Sequence, residues 1–129
     1  MEFTETEVIE ELRTIFTHTD SRVLVGIGDD AAVVSTPASR IAITIDMAVE
    51  NVHFRREWAT AEEIGMKITA ANLADIYSMG ATPEHLVVAV ALTGEESMTW
   101  IKELAHGIKR EAQKCDVRII GGDIVRGPA

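Results

Sequence analysis

Helical and strand-like hydrophobic patterns alternate along this chain, and they divide it into elements. Between residues 4 and 17, Val8, Ile9, Leu12, Ile15 and Phe16 fall on one face at helical spacing. Thr4 followed three residues later by Glu7 is a capping box, so the pattern predicts an amphipathic helix that starts there. From Val23 the period shortens. Val23-Leu24-Val25 and Ala31-Ala32-Val33-Val34 are strand-like runs, and Pro37-Ala38-Ser39 is a turn. Residues 41–46, Ile-Ala-Ile-Thr-Ile-Asp, read as a β-branched strand that ends on a carboxylate. Residues 47–58 hold no period and read as a long loop, the kind of segment that often carries function.

A second capping box, Thr60 with Glu63, opens a helix that runs to about Met79 and stops at Gly80 before Pro83. Ile64, Met66, Ile68, Ala70, Ala71, Leu73, Ala74 and Ile76 make it apolar around most of its surface, which predicts a buried helix. Residues 85–93 are almost continuously apolar, as in a central strand. Residues 97–114 form a third helix with Trp100, Ile101, Leu104, Ile108 and Ala112 inward. Val117-Arg118-Ile119-Ile120 is the last strand and runs into Gly121-Gly122-Asp123. Helices and strands mixed without strict alternation predict an α+β fold, a mixed or antiparallel sheet with helices on one face. The bare face of such a sheet needs a partner, so a dimer is expected.

Composition narrows the function. At 129 residues the chain is most simply one domain. Its 12 Lys and Arg against 21 Asp and Glu leave a net charge of −9, which argues against nucleic acid and against a polybasic membrane contact. Cys115 is the only cysteine, so neither an internal disulfide nor a thiolate zinc site is available, and a reducing, cytoplasmic setting is expected. The longest apolar run is too short to span a bilayer, and the acidic start is no signal peptide.

The candidate chemistry lies in aspartates. Gly26-Ile27-Gly28-Asp29-Asp30 sets two carboxylates side by side after two glycines. Such charges about 4 Å apart repel by about 1 kcal/mol in water and about 4 kcal/mol at an effective dielectric near 20, a cost that a cation removes. Asp46 ends a strand, Asp75 sits in the helix expected to be buried, and Asp123 follows two glycines at a strand end. A buried carboxylate demands a partner: Lys67, Arg55 or Arg56 in a salt bridge, or a metal. The plainer reading is solvated turns and one structural ion pair, with His53 as an ordinary loop histidine. One metal cluster would account for all four carboxylates together. Hard oxygen ligands suit Mg²⁺ and phosphoryl transfer. No glycine loop is followed by Lys-Ser/Thr, so a P-loop is excluded.

Gly26-Ile27-Gly28-Asp29-Asp30-Ala31-Ala32, Thr44-Ile45-Asp46, Glu50-Asn51-Val52-His53-Phe54, Asn72-Leu73-Ala74-Asp75-Ile76 with Met79-Gly80-Ala81, and Gly121-Gly122-Asp123 with Arg126-Gly127 follow one another in order. The series resembles the N-terminal domain of the thiamine-monophosphate kinases, in a superfamily shared with aminoimidazole ribonucleotide and selenophosphate synthetases. The resemblance covers the chain from about Arg22 onward. It implies transfer of the ATP γ-phosphate to thiamine monophosphate in a cytoplasmic homodimer whose N-terminal sheets meet in a barrel. It implies Mg²⁺ held by Asp30, Asp46, Asp75 and Asp123 with oxygen from Thr44 and the Ile45 main chain. It further implies His53 near the substrate, and Gly122 and Asp123 at nucleotide phosphates. Asp29, by contrast, is the bystander of its pair. The family's usual Ser-Thr-Asp is Thr44-Ile45-Asp46 in this chain, so one hydroxyl is lost. The resemblance also implies a second domain beyond residue 129, without which this half alone would be weak or inactive as a catalyst. A related synthetase, or a non-catalytic acidic dimerisation module, are the competing readings.

Overall fold

The computed structural model describes residues 3–37 and 40–127. The chain order is α1 (Glu5–Ile15), β1 (Val23–Val25), β2 (Val33–Val34), α2 (Ala61–Ser78), β3 (His85–Leu92), α3 (Met98–Gln113) and β4 (Arg118–Arg126). The α+β class expected from the sequence is the class observed. The strands form two small sheets rather than one: β1 and β2 pair antiparallel, β3 and β4 pair parallel.

Each helix begins where a side chain can take up its free N–H groups. Glu7 N–H donates to Thr4 Oγ1 at 3.3 Å while Thr4 N–H donates to Glu7 Oε2 at 2.6 Å. Glu63 and Thr60 repeat the exchange at 3.2 and 2.8 Å ahead of α2. Ser97 accepts from Trp100 N–H at 3.1 Å ahead of α3.

Parallel strands need a crossover, and α3 supplies it between β3 and β4. The main core lies around that unit. Ile64 and Leu73 of α2 pack with Leu104, Ala105, Ile108 and Ala112 of α3 and with Ile119 of β4. A smaller cluster joins Val8 of α1 to Leu92 and Ile101. Two glycines bring α2 and α3 together backbone to backbone. A Cβ on Gly107 would overlap the Glu62 carbonyl, and one on Gly65 would overlap the Leu104 carbonyl and stand 2.9 Å from Ile108 N. No larger residue fits either position without parting the helices.

Four sequence expectations change. Residues 41–46 form no strand and pair with none among the described residues; Ile43 is 87% and Ile45 84% exposed. β-Branched composition favours a pleated surface only where a neighbour supplies the ladder. The turn at Pro37-Ala38-Ser39 falls partly on residues outside those described. Helix α2 is buried along one stripe, Ala61, Ile64, Gly65, Thr69 and Leu73, and its other face is exposed. Ala70, Ala71 and Ala74 are exposed and reflect helix propensity rather than burial. Strand β3 is not central: β4 is its only neighbour among the described residues, and Val87, Ala89 and Ala91 are exposed while Leu86, Val88, Val90 and Leu92 face the helices. Finally, β4 continues through the glycines to Arg126, so Asp123 sits inside a strand, opposite Ala89.

Candidate metal–phosphate site

Asp29 and Asp30 are exposed in the loop between β1 and β2. Gly28 takes φ 111°, a conformation that side chains rarely adopt. Asp29 Oδ1 accepts from Asp30 N–H at 2.9 Å, so one Asp29 oxygen is used in holding the turn. The Arg13 guanidinium of α1 lies against the same turn, 3.3 Å from where a Gly28 Cβ would stand. The loop runs beside β4, since Ala32 Cβ comes within 3.8 Å of a Cβ position on Gly121. Gly122 is in register with Val88, whose carbonyl a Cβ there would overlap. The glycine pair thus serves close strand approach as well as any ligand.

Asp46 reaches a different element. Its N–H donates to Asn72 Oδ1 at 3.0 Å, and Asn72 Nδ2 donates to Ile68 O at 3.0 Å. Asp75 follows one helical turn later on α2, the spacing that places two side chains on one face. Asn72 therefore ties the Thr44-Ile45-Asp46 segment to the helix face that carries Asp75. Asp75 itself is exposed, so the argument that burial forces a partner on it lapses. The three cations weighed for it are engaged elsewhere. Lys67 Nζ donates to His53 O at 2.6 Å, Arg56 bridges Glu50 and Glu96, and Arg55 lies 4.6 Å above the Trp58 ring.

The site residues thus fall into two places: the Asp30 loop alongside the Asp123 strand, and Asp46 fastened to the Asp75 helix. Among the described residues, no group of three or more His, Cys, Asp and Glu side chains gathers to hold a metal. The donor chemistry still suits Mg²⁺: carboxylates, the Thr44 hydroxyl and main-chain oxygens are hard ligands. That ion is commonly held by one or two carboxylates, with phosphate oxygens and waters filling its shell.

His53 is exposed in the 47–58 loop, and its Nδ1 accepts from Val49 N–H at 3.0 Å. Two charged clusters support the surroundings. Arg22 binds Asp20 at 2.9 Å and Glu84 at 2.9 Å, and His85 Nε2 lies 3.3 Å from Asp20. The Arg22 guanidinium beside Asp20 holds that carboxyl well below the usual range. This cluster pins the entry of β1 to the start of β3. Glu96 is the other anchor. Burial pushes its carboxyl up, but main-chain N–H groups, among them those of Gly94 and Thr93, and the Arg56 guanidinium outweigh that and hold it at about 2. Sequence reasoning passed over Arg13 and Glu96, and weighed Arg56 only as a salt-bridge partner for Asp75. Nothing in their spacing marks them, because each acts on an element distant along the chain.

Residues 28–129 match the family described as AIR synthase related protein, N-terminal domain. The chain is similar to the thiamine-monophosphate kinase of Synechococcus elongatus, 36% identical over 102 residues, 78% of this chain and 31% of that one. It is similar to the thiamine-monophosphate kinase of Buchnera aphidicola from Acyrthosiphon pisum, 34% identical over 128 residues, 98% of this chain and 39% of the other. Among solved structures, a thiamine-monophosphate kinase from Stenotrophomonas maltophilia K279a superposes with a TM-score of 0.79 at 37% identity, covering 98% of this chain and 39% of that one. The chain therefore spans roughly a third to two-fifths of the length of these relatives. With its glycine–aspartate loop, its crossover unit and this match over most of its length, the chain belongs to the AIR synthase related N-terminal domain family.

Proposed function

We propose that the protein carrying this chain transfers the γ-phosphoryl group of ATP to thiamine monophosphate, giving thiamine diphosphate and ADP, and that this chain is its metal- and nucleotide-binding half. The observation that carries the reading is the glycine–aspartate loop lying beside Gly121-Gly122-Asp123, with Asp46 fastened by Asn72 to the helix that bears Asp75. The names of the relatives at 34–37% identity supply the substrate. A further structure, at 24% identity and a TM-score of 0.58, carries the fold alone; that protein was solved in complex with AMPPCP and TMP.

In this reading Asp30, Asp46, Asp75 and Asp123 hold Mg²⁺, with Thr44 and the Ile45 main chain contributing oxygen. When bound, the ion neutralises charge that builds on the phosphates during transfer. The chain's own part is placement. Glycines at 28 and 122 let backbone approach phosphate, Gly122 and Asp123 border the nucleotide, and His53 borders thiamine monophosphate. In this reading the protein acts in the cytoplasm. Among the described residues no helix is long and apolar enough to cross a membrane. The bare face of β3, with Val87, Ala89 and Ala91 exposed, seats a second copy in a homodimer. A second domain completes the site, and this chain alone turns over weakly or not at all.

Titration calorimetry with Mg²⁺ and AMPPCP tests the assignment. Binding that needs both, and that Asp30→Asn or Asp123→Asn weakens by about 10- to 100-fold, is expected. No heat from the folded chain would favour a module without ligand. ADP release matching that of the full-length relatives would overturn the claim that this half is inactive alone.

A further inference from the structure

The turn at residues 49–54 is closed by its own histidine. His53 N–H donates to Val49 O at 2.8 Å, and Val49 N–H returns a bond to His53 Nδ1 at 3.0 Å. Asn51, at φ 65°, donates through its N–H to Phe54 O at 2.7 Å. A backbone N–H can only donate, so Nδ1 is the bare nitrogen of the ring. The neutral imidazole then carries its proton on Nε2. An imidazolium would need a proton on Nδ1 and would lose the Val49 bond.

The turn is also fastened to the core. Phe54 packs against the main core cluster. Arg56 Nη2 lies 2.9 Å from Glu50 within the turn and 2.9 Å from Glu96, whose side chain is 2% exposed. Glu96 in turn accepts from Thr93 Oγ1 at 3.0 Å and Gly94 N–H at 3.0 Å. The Arg56 guanidinium lies 4.7 Å above the Trp100 ring. One planar cation thus joins the turn to the β3–α3 corner.

We propose that this turn is a preformed clip that presents His53 as a neutral hydrogen-bond donor, through Nε2–H, to a phosphate oxygen of the acceptor substrate, with Arg56 as its positioning residue. The proposal rests on the reading of His53 as the substrate residue. A donor fixed in tautomer and place binds an anionic oxygen without taking up a proton and with little reorganisation.

Imidazole nitrogen–proton correlation spectra of the chain test this, with His53→Phe identifying the resonance. Nδ1 is expected at a pyridine-type shift and Nε2 at a pyrrole-type shift near neutral pH. In His53→Phe, the Val49 amide should exchange roughly five- to tenfold faster. The opposite tautomer, or unchanged Val49 exchange, overturns the clip. Arg56→Ala exposes the role of the anchor, and Arg56→Lys keeps a charge on Glu96 while losing the planar bridge. Both should speed Val49 exchange, Lys by less. A lower melting temperature with the tautomer and Val49 exchange unmoved would overturn the positioning role. Thiamine monophosphate should shift the Nε2–H resonance. If only inorganic phosphate shifts it, the clip stands and the named substrate falls; if neither does, the donor role falls.

Discussion

The β3–α3–β4 body and the outer wall formed by the glycine–aspartate loop and residues 41–53 are built on opposite terms. In the body, α2 and α3 meet backbone to backbone at Gly65 and Gly107, and Ile64, Leu104 and Ala112 are buried. In the wall, Ile43 and Ile45 stand in solvent, and a bond from Asp46 N–H to Asn72 ties their segment to α2. The body draws its order from its own packing. The wall carries Asp30, Asp46 and His53, all exposed among the described residues, and Asp75 and Asp123 stand exposed on the helix and strand beside it. Loss of packing should therefore be felt in the body as stability, while changes on the wall should be felt in binding.

Four tests, with five substitutions between them, would break or sharpen that contrast. The largest effect is expected from Gly107→Val, which forces a side chain into the Glu62 carbonyl; overpacking of this kind should cost about 3 kcal/mol or more and lower the melting temperature by about 10 °C. A melt within a degree or two of the parent would show that the helices do not meet as described. Next comes a paired test. Ile64→Ala should cost about 2–4 kcal/mol in urea unfolding, whereas Ile43→Ala should stay within about 0.5 kcal/mol. Equal costs would mean that residues 41–46 are packed in solution.

Acid should act through the corner that anchors the wall. The Glu96 carboxyl sits at about 2 when folded, below its ordinary value, so it stabilises the fold above its unfolded pKa. That contribution is lost as pH falls from about 4.5 toward 2. Glu96→Gln should therefore flatten the loss of melting temperature over that window. Asp20, also held low, loses its share in the same direction, so some acid sensitivity remains in the variant. A profile unchanged by Glu96→Gln would remove Glu96 from the account. The smallest expected effect is Thr60→Ala, about 1 kcal/mol from losing the cap of α2, measured by urea midpoint.

Much of the body was readable from local pattern. The capping boxes placed the starts of α1 and α2, and the helical period of Ile101, Leu104, Ile108 and Ala112 gave the inward face of α3. These signals are local because a cap and an amphipathic stripe are set by residues three or four apart. Residues 41–46 misled for a related reason. Their composition states a preference for a pleated strand, but pairing depends on a neighbour that composition does not contain. Gly65 and Gly107 carried no readable signal, since each makes sense only against a carbonyl of the other helix. At the candidate site, the aspartates were visible as glycine–aspartate pairs, while Arg13, Arg56 and Asn72 were given their tasks by elements far off in sequence.

The sequence by itself determined the α+β class, the bounds of three helices, the acidic oxygen-rich donor set and the family resemblance, because periodicity, caps and motif order are one-dimensional facts. The tertiary structure decided which face of α2 is buried, that Asp75 is exposed, that Asp123 lies within a strand beside the Asp30 loop, and that Arg56 clamps the His53 turn. Those outcomes depend on which surfaces meet. Packing at fixed volume and the pairing of buried charge with distant partners settle that, and no local spacing encodes them.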